Sequence, residues 1–63
     1  MTLFEIASHA KDESVFYRNS DKRFQFAFEK RKPRIICRIN SDGSLSGVNL
    51  TAEEIEATDW EIL

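Results

Sequence analysis

Basic side chains gather between positions 18 and 38, where their chemistry is that of anion binding. Eight lysines and arginines lie in this stretch against two carboxylates, whereas the rest of the chain holds one lysine against nine carboxylates. Guanidinium and ammonium groups bind phosphate and carboxylate oxygens through charge-assisted hydrogen bonds. The asymmetry, hidden in a net charge of −2, indicates an anionic ligand or an acidic partner surface. An ordinary solvated surface is the alternative, because 32% of the residues are charged.

Catalytic and metal-binding patterns are missing from the sequence. The chain has one histidine, His9, and one cysteine, Cys37, so neither a metal-ligand set nor a nucleophile–base pair can be assembled from them. It has no glycine-rich phosphate loop, and the carboxylates at 53, 54 and 56 have no second acidic cluster as partner. The sequence therefore predicts a binding protein, not an enzyme, with no cofactor and no metal.

Residues 23–49 are predicted to form a three-strand antiparallel meander. This meander is the part of the fold that must position the cations. Alternation over residues 23–29 puts Phe24, Phe26 and Phe28 on one face, because successive side chains of a strand point to opposite faces. This row of phenylalanines is expected to form the floor of the core.

The next strand is expected to pair with Ile35 opposite Phe28. In that register Ile35 and Cys37 lie on the phenylalanine face, and Arg34 and Arg38 lie on the other face. One face of the sheet is then core and the other basic. We therefore expect the functional site to lie on the basic face.

The pair Asp42-Gly43 favours a two-residue type I′ turn before the third strand. That turn places Ile39 opposite Ser46 and Gly47 opposite Arg38. Because glycine has no side chain, Gly47 would leave room for a ligand beside the arginine, or would be no more than a weak point or bulge.

Both ends of the chain carry helix-start signals. Thr2 with Glu5, and Thr51 with Glu54, form capping boxes in which each threonine is the N-cap. The first helix presents an apolar stripe, and the chain closes with a strand over residues 59–63. The stripe consists of Leu3, Ile6, Ala7 and Ala10. We expect Trp60, in the closing strand, to be the largest core residue.

These patterns predict a single α+β domain over residues 1–63. An N-terminal helix packs on a small antiparallel sheet, a meander of three to five strands, and a short C-terminal helix and closing strand follow. A chain of this length buries only about 60% of its unfolded surface, so we expect a homo-oligomer. The lone Cys37 is expected to be buried and indicates a reducing cytoplasm. No signal peptide or membrane-spanning stretch is found in the sequence, so we expect no membrane partner.

Three stretches carry a resemblance to a known family. They are the capped start Met1-Thr2-Leu3-Phe4-Glu5-Ile6, the basic strand at Tyr17-Arg18, and the ending Leu50-Thr51-Ala52-Glu53-Glu54-Ile55-Glu56-Ala57-Thr58-Asp59-Trp60-Glu61-Ile62-Leu63. In this order of elements, and in the short helix, alanine, acidic residue and tryptophan of the ending, the chain resembles the Thoeris anti-defence type-two-like proteins. These are small phage-encoded proteins.

The resemblance implies a phage or prophage protein in the cytoplasm of an infected or lysogenic bacterium. Such a protein oligomerises and counters host defence by sequestering a cyclic nucleotide signal without catalysis. Arginines would bind the phosphates and aromatic rings would stack on the bases. The charge argument, not a family motif, selects the ligand-binding candidates: Arg18, Arg34 and Arg38, with Lys22 and Tyr17 as weaker ones.

Two other functions stay open from the sequence. The chain could inhibit a host protein by covering its surface, through an exposed sheet edge or the acidic C-terminal helix. It could also bind nucleic acid through the basic face and the loop from Lys30 to Arg34. Against nucleic acid, the non-core face offers no row of aromatic rings on which bases could stack.

Overall fold

The computed structural model describes residues 1–30 and 33–63, and these form an α+β fold. The elements in order are α1 (Leu3–His9), β1 (Phe16–Arg18), β2 (Asp21–Phe28), β3 (Ile36–Ile39), β4 (Leu45–Gly47), α2 (Ala52–Glu56) and β5 (Trp60–Ile62). The five strands make one antiparallel sheet in the order β4-β3-β2-β1-β5. The predicted fold class, with its N-terminal helix, short C-terminal helix and closing strand, is confirmed. Neither helix in the described ranges has the length and apolar character needed to cross a membrane.

Both helices begin at the predicted capping boxes. In α1 the Thr2 hydroxyl accepts a hydrogen bond from the Glu5 amide at 3.1 Å, and the Glu5 carboxylate accepts one from the Thr2 amide at 2.9 Å. Thr51 and Glu54 repeat the arrangement at α2, at 3.2 and 3.0 Å. These bonds satisfy amide donors that have no partner within a helix, so short local patterns suffice to start both helices.

One face of the sheet, here called the core face, carries the hydrophobic core. Its cluster of buried residues consists of Ile6, Ala10, Phe16, Phe26, Phe28 and Trp60. Trp60 is completely buried and is the largest of them, as predicted. Its indole nitrogen donates to the Glu54 carbonyl oxygen at 2.9 Å, which ties α2 to the core face. Ala7, expected on the apolar stripe of α1, is exposed.

The pairing of β2 with β3 is offset by one residue from the predicted register, so that prediction was wrong. Phe28 pairs with Ile36, not Ile35, and Phe26 pairs with Arg38. A shift of one residue moves every side chain of a strand to the opposite face. Arg38 therefore lies on the core face, and Cys37 lies on the opposite face, here called the open face. Cys37 is buried, as expected, but stands outside the core cluster.

The connection between β3 and β4 explains a second correction. It has three residues, 41–43, because the Asn40 amide donates to the Ser44 carbonyl oxygen at 2.8 Å and the Gly43 amide donates to the Asn40 carbonyl oxygen at 2.9 Å. Gly43 has φ 87°, the left-handed conformation that ends a type I turn with a bulge. The predicted two-residue turn was therefore wrong.

The longer turn sets the register of β4. Ile39 pairs with Leu45 where Ser46 was predicted, and Gly47 pairs with Cys37 where Arg38 was predicted. Gly47 thus opens no space beside Arg38. The predicted basic loop from Lys30 to Arg34 includes residues 31 and 32, which lie outside the described residues.

Candidate functional site

Arg18, the first predicted ligand-binding residue, is engaged inside the chain. Its Nε donates to a carboxylate oxygen of Asp59, and its guanidinium carbon lies 5.8 Å from the centre of the Trp60 ring. The Ser20 amide donates to the other Asp59 oxygen at 2.9 Å. These hydrogen bonds from Ser20 and Arg18 hold the pKa of Asp59 well below its usual value. The arginine therefore joins β1 to the start of β5.

Arg34 is also committed to the fold. Its guanidinium donates to the Ala10 carbonyl oxygen at 3.0 Å and to the Ala7 carbonyl oxygen at 3.4 Å. It lies 4.1 Å from the centre of the Phe28 ring, and its Nε is 3.6 Å from an Asp12 carboxylate oxygen. A cation at this end of α1 satisfies carbonyl groups that the helix leaves without partners. Arg34 thus fastens α1 to the sheet.

The other three candidates are placed differently. Arg38 and Lys22 are exposed, and neither forms an ion pair with another described residue. Tyr17 is half-buried on the open face, where it pairs across the sheet with Glu61. The structure therefore does not bring the five predicted residues into one site.

Arg38 meets an aromatic side chain that sequence reasoning assigned to the core. Phe24, near the start of β2, is 39% exposed. The guanidinium carbons of Arg38 and Arg23 lie 5.4 and 5.3 Å from the centre of its ring. Both distances are within the range of cation–π attraction. We call the group of Arg23, Phe24 and Arg38 the Phe24 patch.

Arg23 is held in the patch by its neighbour Asp21. Arg23 Nε and one terminal nitrogen each donate to a different oxygen of the Asp21 carboxylate at 2.9 Å, a two-pronged ion pair. Hydrogen bonds from Arg23 lower the pKa of Asp21 to about 2, so the carboxylate stays charged at neutral pH. The ion pair fixes the direction of a guanidinium group that is otherwise exposed to water.

Polar groups continue from the patch toward the β3–β4 turn. Ser46 pairs across from Arg38, and its hydroxyl accepts a hydrogen bond from the Asn40 side-chain amide at 2.7 Å. A shallow depression of about 370 Å³ opens at this end of the sheet. It is lined by Lys22, Arg23, Gln25, Ile39, Asn40 and Ser41. Lys22 is thereby placed beside the patch, and the lining carries two cations and no carboxylate.

A second depression, of about 540 Å³, lies between the end of α1 and the end of β2. Its lining residues are Lys11, Asp12, Glu13, Ser14 and Lys30. Cations and carboxylates are equal in number there, and Lys30 pairs with Glu13 at 3.5 Å. This balance gives the depression no preference for a charged ligand.

Sequence reasoning missed the patch because it treated Phe24 like Phe26 and Phe28. The core ends before Phe24, since β1 has only three residues and its pairing with β2 shifts between Phe16 and Arg18. The available signal was the neighbouring pair Arg23-Phe24, which places a guanidinium beside an aromatic ring near the start of a strand.

Fold and site together define a small α+β protein with an exposed patch of one aromatic ring and two guanidinium groups. Over the described residues, no group of three histidine, cysteine, aspartate or glutamate side chains could hold a metal ion. Comparison with protein-family models, curated proteins and solved structures finds no match to this chain.

Proposed function

We propose that this chain is a non-catalytic binding protein whose Phe24 patch holds a phosphate-bearing ligand with a planar ring, such as a nucleotide. The observation that carries the proposal is the exposure of Phe24, whose ring centre lies 5.3 and 5.4 Å from the guanidinium carbons of Arg23 and Arg38. An exposed aromatic ring can stack on a base, a contact worth about 1–3 kcal/mol. Arg38, which has no ion pair with another described residue, can give a phosphate two-pronged hydrogen bonds, whereas Nε and one terminal nitrogen of Arg23 are bonded to Asp21.

The patch fits one or two nucleotide units better than an extended strand. Proteins that bind single strands without sequence preference stack successive bases on several aromatic rings along a basic groove. In the described part of the chain, Phe24 is the one exposed ring that has guanidinium groups over it. Arg18 and Arg34, which an extended site would need, are engaged with Asp59 and with α1.

The family resemblance supplies the biological setting of the proposal. In that setting the chain is a small phage or prophage accessory protein, and the ligand is a cyclic nucleotide signal of a host defence system. Sequestration needs tight binding of a ligand that stays chemically unchanged, and it needs no catalytic group. Arg38, which has no ion pair with another described residue, supplies positive charge for such a ligand.

The test is isothermal titration calorimetry of the purified protein with cyclic ADP-ribose isomers and cyclic di- and trinucleotides. We expect one ligand of this panel to bind and to raise the melting temperature. Phe24→Leu should weaken its binding about 5- to 150-fold, the equivalent of 1–3 kcal/mol of stacking. Arg38→Gln should weaken it at least about tenfold through the lost charge-assisted bond.

Lys11→Gln is the matched control, because Lys11 is an exposed cation that lines the other depression. This variant should bind as tightly as the wild type. Failure of the whole panel to bind would refute the nucleotide proposal and favour a host protein as partner. Unchanged affinity in both patch variants would refute the assignment of the site.

The non-catalytic part of the proposal has its own test. The bound ligand is recovered by heat denaturation of the complex and analysed by chromatography. We expect the ligand to be unchanged after prolonged incubation with the protein. A steadily increasing product that requires the folded protein would contradict this proposal.

A further inference from the structure

The shallow depression beside the Phe24 patch lies where the pairing of β2 with β3 ends. The last paired residues at this end are Gln25 and Ile39, and both line the depression. The start of β2 and the β3–β4 turn supply its other lining residues, Lys22, Arg23, Asn40 and Ser41. Its volume of about 370 Å³ is within the range of small-molecule sites, about 300–1,000 Å³. The depression therefore has room for part of a ligand that is held by the patch.

The donors around this depression favour an anionic group. Lys22 is exposed and forms no ion pair with another described residue. Arg23 uses Nε and one terminal nitrogen for Asp21, so its other terminal nitrogen lies outside that ion pair. The Ser41 hydroxyl and the Gln25 side-chain amide are further donors in the lining. Phosphate oxygens accept hydrogen bonds from all of these groups.

The carboxylates that neighbour the lining in sequence are already bonded. Asp21 accepts from Arg23, as described above. Asp42, which follows Ser41, accepts from the Ser44 amide at 3.0 Å and from the Ser44 hydroxyl at 2.6 Å. Neither carboxylate forms an ion pair with Lys22. The positive charge of the lysine is therefore available to a ligand.

The depression and the patch are continuous through Arg23. This residue lines the depression, and its guanidinium carbon lies 5.3 Å from the centre of the Phe24 ring. Along β2, Phe24 lies between Lys22 and Phe26. Phe26 pairs with Arg38, whose guanidinium carbon is 5.4 Å from the same ring centre. Along the strand, one cation therefore lies on each side of the ring.

The spacing of these two cations separates two classes of nucleotide. Lys22 and Phe26, the partner of Arg38, are four residues apart, which is about 13 Å along an extended strand. The long stems of lysine and arginine cover part of this distance. Two phosphates on opposite sides of a stacked base are thus within reach of both cations. The adjoining phosphates of a 5′-diphosphate lie on one side of the ribose and do not match this arrangement.

We propose that the depression binds a second phosphate of the ligand, and that the ligand contains a nucleotide unit phosphorylated at both its 3′ and 5′ positions. This inference rests on the proposed function, in which the base stacks on Phe24 and Arg38 binds one phosphate. Lys22 binds the other phosphate, with Arg23 and Ser41 as neighbouring donors. The preferred ligand is therefore joined through 3′,5′-phosphodiester bonds, as in a cyclic dinucleotide.

The first measurement compares simple nucleotides by NMR titration of the ¹⁵N-labelled protein at one fixed ionic strength. The probes are the 3′- and 5′-monophosphates, the 5′-diphosphates and the 3′,5′-bisphosphates of adenosine and guanosine. In at least one series we expect the bisphosphate to bind about tenfold or more tightly than either monophosphate, because charge-assisted hydrogen bonds are added. The 5′-diphosphate controls for charge, since it has as many phosphates, and should gain less than about threefold.

Lys22→Gln tests the assignment of the second phosphate to the depression. We expect the advantage of the bisphosphate over the 5′-monophosphate to fall from about tenfold to less than about twofold. Lys22→Arg should keep the advantage, because a guanidinium group also binds phosphate. Lys11→Gln is the matched control, an exposed cation at the other depression, and should keep it as well. An advantage that persists in Lys22→Gln would overturn the assignment.

Failure of this inference is distinguishable from failure of the proposed function. Equal affinities for monophosphate and bisphosphate, with binding that Phe24→Leu weakens, would overturn the second phosphate site and leave the proposed function in place. A 5′-diphosphate that binds as tightly as the bisphosphate would overturn the arrangement of one phosphate on each side of the base. Absence of binding by every nucleotide, cyclic dinucleotides included, would overturn both proposals.

A last comparison identifies the source of the doubly phosphorylated unit, because 3′,5′-linked cyclic dinucleotides and single-stranded RNA both contain it. We expect cyclic di-adenylate or cyclic di-guanylate to bind at least as tightly as single-stranded RNA of about eight nucleotides, which needs several stacking rings. This result would support the small ligand. Tighter binding of the RNA would support the second phosphate site and overturn the small-ligand part of the proposed function.

Discussion

Replacement of Trp60 tests how much of the fold depends on one side chain. Trp60 is completely buried, and its ring centre lies 5.9 Å from that of Phe16 and 5.4 Å from that of Phe26, both at edge-on angles. Its indole N–H donates to the Glu54 carbonyl oxygen in the middle of α2. Trp60→Ala therefore removes the centre of the core and the bond that holds α2.

The expected cost is comparable to the whole stability of the domain. Truncation of a buried tryptophan to alanine costs about 3–5 kcal/mol. A domain of 63 residues has roughly 3–9 kcal/mol of unfolding free energy, at 0.05–0.15 kcal/mol per residue. Trp60→Phe keeps most ring contacts and loses about 1 kcal/mol for the hydrogen bond and about 1–2 kcal/mol for the lost volume. We expect Trp60→Ala to be largely unfolded and Trp60→Phe to fold with reduced stability.

Urea unfolding followed by far-ultraviolet circular dichroism is the assay, because these variants lack the only tryptophan. With an m-value of about 1 kcal/mol/M, Trp60→Phe should lower the unfolding midpoint by about 2–3 M. Phe4→Ala is the control, since Phe4 is 82% exposed and its loss should change stability by less than about 0.5 kcal/mol. A cooperative, wild-type-like transition in Trp60→Ala would refute the packing described here.

Two other predictions concern the turns. Gly43→Ala should lower the unfolding free energy by about 1 kcal/mol in urea titrations, because Gly43 has φ 87°, a backbone conformation that alanine disfavours. The added Cβ meets no atom within 4 Å, so the loss is due to the backbone alone. An unchanged unfolding free energy would mean that the turn adopts another conformation. Asp59→Asn should lower the melting temperature at pH 7, because the lowered pKa of Asp59 marks a carboxylate stabilised by Ser20 and Arg18. The stabilisation is complete above the unfolded pKa near 3.8 and decreases as pH falls toward the folded value, so the wild type should lose its advantage only below about pH 4. An advantage that is constant between pH 7 and pH 2 would contradict this assignment.

Which cations of the candidate site are engaged within the chain could not be predicted from the sequence. Charge alone selected Arg18, Arg34 and Arg38 as equivalent candidates. The sequence does not show that Asp59, 41 residues from Arg18, accepts its hydrogen bond, or that α1 accepts those of Arg34. Arg38 is exposed, and no described carboxylate lies within ion-pair distance of it. Partners distant in sequence therefore decided which cations remain open to a ligand.

Local patterns by themselves determined the helix starts, the α+β class and the burial of Trp60. A capping box spans only four residues, and strict alternation in β2 identifies its core side without reference to other strands. The register of β3 was not determined in this way, because both of its faces carry apolar residues, Ile36 on one and Cys37 and Ile39 on the other. Only the tertiary structure, through pairing with β2 and the three-residue turn at Gly43, decided which face Arg38 occupies and so created the Phe24 patch.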